Sequence, residues 1–352
     1  MVRYGIIGSG TMGREHIQNL QLIPEARVVA LADPHPASLT AAAALAGDEV
    51  ATCENYRALL ARDDIDVVVI ATPNHTHAAV LADVLASGRH ILVEKPLCTT
   101  IEDARAVVAA ADAHKGLFWV AMEYRYMPPV ARLIEEVRRG TVGRLRMLAI
   151  REHRFPFLVK VGDWNRFVRN TGGTMVEKCC HFFDLMRLVI AERPVRVFGS
   201  GGQDVNHLDE RYDGEIPDIL DNAFVIVDFA GRARALLDLC MFAEASPDQE
   251  EIVATGDAGK VACGVPSSTL FIGKRKPREE RREHVPVASE ILAAGHHHGS
   301  TYYQHLAFLK ALREGGPPEV SARDGLLAVA IGVAAERSIR EGRAIEMAEL
   351  GF

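Results

Sequence analysis

The chain has 352 residues, 48% of them hydrophobic and 25% charged, which is enough for about two cored domains. Its net charge of −7 argues against a nucleic-acid-binding surface. No apolar run reaches membrane-spanning length, and Arg3 precedes a strand and glycines rather than a signal-peptide core, so a cytoplasmic protein with no membrane partner is expected. In chain order, strands are predicted at Val2–Ile7, Arg27–Ala32, Val67–Ala71, His90–Glu94 and Phe118–Ala121, with helices at Gly13–Leu22, Pro36–Leu45, His77–Ser87 and Ile101–His114. This alternation implies right-handed βαβ crossovers and a parallel sheet. The rhythm stops around Glu123–Pro129. Beyond Gly143, strands follow in succession at Arg146–His153, Val195–Gly199, Asn222–Phe229, Ala233–Phe242, Glu251–Thr255 and Gly259–Gly264, several of them alternating apolar and polar as in an antiparallel sheet with one covered face. Helices are predicted at Thr174–Ala191, Thr301–Arg313 and Ala322–Glu341, and the polar stretches Asn206–Ile219 and Lys274–Glu290 read as loops. The expected fold class is α/β: a doubly wound parallel-sheet domain over residues 1–122, then an α/β domain with a mainly antiparallel open sheet over residues 123–352.

The first strand runs directly into Gly8-x-Gly10-x-x-Gly13. Gly8 permits a tight turn, Gly10 allows backbone to approach a pyrophosphate, and Gly13 lets the helix pack closely on the strand. Thr11 and Met12, between the last two glycines, open a helix whose N–H groups and positive dipole end suit phosphates. About twenty residues on, the second strand ends in Asp33, placed to accept hydrogen bonds from the adenosine ribose and to repel a 2′-phosphate. The expected cofactor is NAD rather than NADP.

Three further segments carry candidate chemistry. Glu94-Lys95-Pro96 closes the strand starting at His90. Ligands gather at the carboxyl ends of such strands, where the Lys95 ammonium can hydrogen-bond a substrate hydroxyl and lower its pKa. A cis Pro96 would aim the preceding side chain. Thr72, Asn74 and His77, at another strand's end, read as cofactor contacts, and His75 as plain turn chemistry. In the cluster from Gly172 to Asp184, Glu177 and His181 fall i,i+4 on one helix, with Lys178 and Asp184 close by. His181 can take a proton at neutral pH, and Glu177 or Asp184 can fix its tautomer. The adjacent Cys179 and Cys180 read as packing residues.

These motifs together resemble the glucose–fructose oxidoreductase/inositol dehydrogenase (Gfo/Idh/MocA) family over nearly the whole chain. The resemblance implies a Rossmann domain, with Glu94 and Lys95 in its cofactor crevice, followed by an open-sheet domain that often forms subunit interfaces, so a homo-oligomer (dimer or tetramer) is expected. It also implies that Lys95 and His181 act with an aspartate four residues before the histidine, a position that here holds Glu177. Trp164 and Arg166 resemble the family's Trp-Arg segment near the nicotinamide, and Arg125 resembles another cofactor-proximal position.

Substrate clues are a basic, aromatic-interleaved run containing Arg151, His153, Arg154, Lys160, Arg166 and Arg169, together with Lys178. This is either an anion-binding pocket or a solvated face. His298 belongs to the run His296-His297-His298, which reads as a substrate-binding or surface loop. No metal site is expected, because the histidines lack an acidic neighbour in sequence and the six cysteines form no C-x-x-C pair. The expected activity is NAD-dependent oxidoreduction at a secondary hydroxyl of a sugar, sugar derivative or cyclitol. Two alternatives are an NAD-requiring glycosidase acting on an anionic glycoside by transient oxidation, which Glu177, Lys178 and a basic pocket would suit, and a non-catalytic NAD sensor.

Overall fold

The computed structural model describes residues 1–352, which fall into two compact units: Met1–Tyr126 with Ala288–Val329, and Met127–Val287 with Ala330–Phe352. The sequence predicts one division, after residue 122; the chain itself leaves the first unit near there and returns to it for residues 288–329.

The first unit contains β1 (Val2–Ile7), α1 (Thr11–Gln21), β2 (Ala26–Ala32), α2 (Pro36–Ala46), β3 (Ala51–Cys53), α3 (Tyr56–Leu60), β4 (Val67–Ile70), α4 (His77–Ala86), β5 (His90–Val93), α5 (Ile101–Ala113) and β6 (Phe118–Val120). The strands are parallel in the order β3-β2-β1-β4-β5-β6. The central ones are short β-branched runs buried on both faces; Val67 to Ile70 are all inaccessible. Strand order reverses between β1 and β4, so the loops after them open the crevice that ligands favour in such sheets. β3 escapes the sequence reading because three residues without a β-branched run carry no period.

The second unit begins with α6 (Pro128–Arg138), β7 (Leu145–His153), α7 (Val168–Thr171), α8 (Thr174–Glu177), α9 (Cys180–Ile190), β8 (Pro194–Gly202) and β9 (Asn222–Phe229). It continues through β10 (Arg234–Cys240), β11 (Glu250–Gly256), β12 (Gly259–Val265), β13 (Thr269–Lys274) and β14 (Glu279–His284). In the first unit again, α10 (Ser289–Ala293) and α11 (Ser300–Glu314) follow; α12 (Ala322–Glu341) starts there and ends in the second unit, where β15 (Ile345–Glu346) closes the chain. The sheet runs β14-β13-β12-β11-β7-β10-β9-β8-β15 and is antiparallel except for the parallel pair β7–β10. α6 and α9 pack on it. No helix of the chain is long and apolar enough to cross a membrane.

Two expectations change. The stretch 274–290, read as a loop, contains β14, whose sequence Glu-Glu-Arg-Arg-Glu-His hides a strand because the edge of a sheet tolerates charge on both faces. The helix read as continuous from Thr174 to Ala191 breaks at Lys178 and Cys179. There the Thr174 carbonyl accepts both the Lys178 N–H at 3.0 Å and the Cys179 N–H at 3.2 Å, which widens the turn. Glu177 and His181 therefore do not lie on one uninterrupted helical stripe.

Candidate functional site

The glycine turn of the first unit has the shape its spacing predicts. Gly8 has φ +96°, and a Cβ there would lie 2.4 Å from the Ala71 carbonyl oxygen. A Cβ on Gly13 would meet the Gly8 oxygen at 2.0 Å, whereas one on Gly10 would meet nothing within 4 Å. The turn is thus closed toward the sheet and open at Gly10, where no side chain caps α1. This open cradle fits a pyrophosphate. Thr11 and Met12 form the first residues of that helix. Asp33 accepts hydrogen bonds from the backbone N–H of Ser9 at 2.7 Å and of His35 at 2.8 Å, tying the end of β2 to the turn. Asn74 is buried after β4, and its Nδ2 finds no hydrogen-bond partner in the protein, as a donor reserved for a ligand would. The Thr72 hydroxyl accepts from Thr76 at 2.7 Å.

His77, read as a cofactor contact, is instead an internal brace. It is fully buried, with Nδ1 2.8 Å from the Pro96 carbonyl and Nε2 3.0 Å from the Thr72 carbonyl, so it joins the loops after β4 and β5. Burial lowers its pKa. Lys95 lies two residues beyond β5, and the Lys95–Pro96 bond that follows it is cis. Glu94 beside it is held by His16 Nε2 at 3.0 Å and by the Lys95 N–H at 3.1 Å. Burial pushes the Glu94 carboxyl up, but the His16 hydrogen bond and the charges of His16 and Lys95 leave it below its ordinary value. Arg125 is buried, donates to the Glu319 carbonyl at 2.6 Å and lies 3.9 Å from Asp324.

The same unit holds a polar cluster that the sequence reading missed. His16 Nδ1 lies 2.9 Å from His305 Nε2, and both rings are fully buried. Beside them on α1, Glu15 meets His297 Nδ1 at 2.8 Å, and Glu123, just after β6, lies 3.7 Å from the same nitrogen. The three histidines at 296–298 thus do have acidic neighbours, brought from distant segments. His298 stands half-buried with φ 53° at the turn into α11. The only available signal was Glu15-His16 at core-facing positions of an otherwise amphipathic helix.

In the second unit, His181, Glu177 and Asp184 are all buried on α8 and α9. Asp184 lies 3.5 Å from Arg187. The Gly172–Gly173 turn before them is closed by Glu336, whose Oε1 accepts the Met175 N–H at 3.0 Å; a Cβ on Gly173 would come within 2.3 Å of that oxygen. Burial raises the Glu336 carboxyl to about 7.

The structure pairs the basic run with acids. Arg151 pairs across the sheet with Glu251, and His153 Nε2 is 3.1 Å from Asp238. Glu152, fully buried, takes Lys178 at 2.8 Å and Arg154 at 3.4 Å. Arg166 is held by Glu210 at 3.0 Å and Arg169 pairs with Glu215. Arg151, His153, Arg166, Arg169 and Lys178 each meet an acid from another strand or loop, and Arg154 shares Glu152, two residues before it, with Lys178. Lys178, expected as a second acid–base group beside Glu177, is buried in its ion pair, which removes the feature that favoured the glycosidase reading. Trp164 lies in the turn before Arg166, its carbonyl accepting from Asn170 at 2.9 Å.

Residues 2–122 match the model of an oxidoreductase family with an NAD-binding Rossmann fold, and residues 134–347 match the C-terminal alpha/beta domain of the same family. The chain is 29% identical to an inositol 2-dehydrogenase of Rhizobium meliloti over 99% of both chains, and 25% identical to a myo-inositol 2-dehydrogenase of Thermotoga maritima, again over 99% of each. The fold matches the solved levoglucosan dehydrogenase complex with NADH at a TM-score of 0.86, over 98% of this chain and 99% of that one at 20% identity. Both halves of the chain, with the glycine turn and the Glu-Lys-Pro strand end between β1 and β6, therefore lead to one assignment: the protein is an NAD-binding member of the Gfo/Idh/MocA oxidoreductase family.

Proposed function

We propose that the protein is an NAD-dependent dehydrogenase acting on a secondary hydroxyl of a cyclitol, sugar or sugar derivative. The observation that carries this reading is Lys95 at the carboxyl end of β5, beside a Glu94 fixed by His16, in a chain aligned end to end with inositol 2-dehydrogenases. NAD, when bound, takes up or returns a hydride at the nicotinamide ring. Gly8, Gly10, Gly13 and the first turn of α1 hold its pyrophosphate, with Asp33 on the ribose and Thr72, Asn74, Glu94, Arg125, Trp164 and Arg166 as further contacts. The Lys95 ammonium donates to the substrate hydroxyl and lowers its pKa. His181 removes the hydroxyl proton as the carbon loses hydride, and Glu177 orients the imidazole. The second unit supplies the substrate-binding and assembly functions beside its share of the NAD contacts, with a second copy of the chain as partner.

The test is NADH formation by the purified protein against a panel of inositols, pyranoses and anhydrosugars. Reduction of NAD by at least one cyclitol or sugar is the expected result. Glycoside cleavage with NAD needed only in catalytic amount, and no net NADH, would reject the reading.

A further inference from the structure

Glu15, Glu123 and His297 bring their ligand atoms within 4.8 Å of one another. Their hydrogen bonds do not balance. Thr301 has one hydroxyl proton, yet its oxygen lies 3.1 Å from Glu15 Oε1 and 2.7 Å from Glu123 Oε2. The remaining oxygens, Glu15 Oε2 and Glu123 Oε1, are buried and accept no hydrogen bond. His16, the next residue on α1, is engaged with Glu94 and His305. Two carboxylates, one wholly buried and one 3% exposed, therefore face a single imidazole. Carboxylate oxygens out of water and without donors are costly, and a divalent cation would satisfy both oxygens and charge at once.

The spacing suits one. Zinc bonds near 2.0–2.2 Å in tetrahedral array set neighbouring donor atoms about 3.3 Å apart. The distances from His297 Nδ1, 2.8 Å to Glu15 Oε1 and 3.7 Å to Glu123 Oε1, bracket that value. The loop before α11 lies close against the acids: a Cβ on Gly295 would lie 2.4 Å from Glu15 Oε1. His298 at φ 53° and Gly299 at φ 80° then turn the chain into α11, which supplies Thr301. His297, a quarter exposed, gives an ion a way in.

We propose that Glu15, Glu123 and His297 form a site for a first-row divalent cation of the zinc type, with one coordination position left for water or another oxygen ligand. The donor set of one imidazole and two carboxylates matches zinc better than calcium or magnesium, which prefer oxygen alone.

The experiment uses the untagged full-length protein, stripped with chelator and titrated with zinc chloride by calorimetry, with elemental analysis after dialysis. Cobalt(II) replaces zinc for a spectroscopic readout. Wild type is expected to bind one zinc per chain and to give a visible d–d absorption band with cobalt. Glu123→Gln, nearly isosteric, and His297→Ala should each weaken zinc binding by about tenfold or more and abolish the band, while Glu123→Gln keeps the wild-type affinity for NAD, reporting an intact fold. Wild type with no stoichiometric zinc would overturn the proposal and leave a buried acid pair sharing a proton. Zinc bound equally well by wild type and Glu123→Gln would overturn it by placing the ion elsewhere.

Discussion

Asp33 sits at the end of β2 with both carboxylate oxygens on backbone N–H groups, of Ser9 and His35. That geometry fixes a negative charge beside the glycine turn, where a 2′-phosphate of NADP would have to lie. NAD should bind about tenfold or more tightly than NADP, a difference of roughly 1.4 kcal/mol per decade. Asp33→Ser should narrow the ratio, and equal dissociation constants in the wild type would refute this role. Lys95 and His181 are the residues assigned to the hydroxyl proton. Lys95→Ala and His181→Ala should each lower turnover by roughly a hundredfold, the usual scale for a positioned acid or base. His181→Ala should leave NAD affinity nearly unchanged, as fluorescence titration would show; near-full turnover in either variant would remove that residue from the chemistry. What the sequence displays at this scale is local: the glycines, Asp33 and Glu94-Lys95-Pro96 are each legible from their place at the end of one strand. Partnerships formed by folding are not displayed. Arg151 meets Glu251 across 100 residues, and Glu15 meets His297 across 282, so a basic run looked unbalanced and a histidine triplet looked free of acids.

The break between α8 and α9 shows what reading elements by period leaves out. Thr174 to Ala191 has the composition of one helix, and nothing in its apolar stripe announces an interruption. The cause is tertiary: Lys178 reaches Glu152 on β7, in a buried group that also contains Arg154 and Glu250. Burial pulls the Lys178 ammonium below its ordinary value against the attraction of Glu152, and Glu250, buried beside Glu152, rises to about 7. Lys178→Met would leave a buried carboxylate facing only Arg154 and should cost about 3 kcal/mol in urea unfolding. Adding Glu152→Gln should recover part of that loss, whereas additive losses would mean that the two side chains do not couple. Glu336 makes a similar link between α12 and the start of α8. Its carboxyl is raised from 4.5 to about 7 by burial, so the folded protein holds a proton there that the unfolded chain releases. The resulting stability is complete below about pH 4.5 and is lost as pH rises through 7, an effect of a few kcal/mol at about 1.36 kcal/mol per unit. Glu336→Gln should flatten the fall in stability between pH 5 and pH 8, as read by denaturant titrations at each pH; an unchanged slope would assign the pH dependence to other groups. The strands missed by sequence, β3, β13, β14 and β15, are short or lie toward the edges of their sheets, where pairing comes from a neighbour rather than from an apolar period.

At the scale of the molecule, the second unit's sheet presents one face without cover. Met147 on β7, Leu236 on β10, Phe224 and Ile226 on β9 and Phe198 on β8 are all exposed large apolar residues. The registers place them together: Leu236 pairs with Ile226, Ile226 with Phe198, and Arg234, two residues before Leu236, with Met147. They therefore form one patch across four adjacent strands, β7-β10-β9-β8, while the alternate residues Val225, Val227, Leu237 and Val197 fill the core beneath. Contiguous apolar surface of this kind marks an interaction site in a soluble protein. A flat sheet face meets a second copy of itself by a two-fold axis without further adaptation, since the same patch serves both sides. We therefore expect a dimer built on this face, or a tetramer that contains it. Light scattering after size exclusion should give a multiple of the 38.4 kDa chain mass at micromolar concentration. Phe224→Asp with Ile226→Asp puts two charges at the patch centre, where burial without a partner costs several kcal/mol per copy. The double variant should elute at the single-chain mass with NAD affinity intact, because neither residue is among the proposed NAD contacts. A wild-type monomer, or a double variant that still assembles, would show that the face serves some other partner or none.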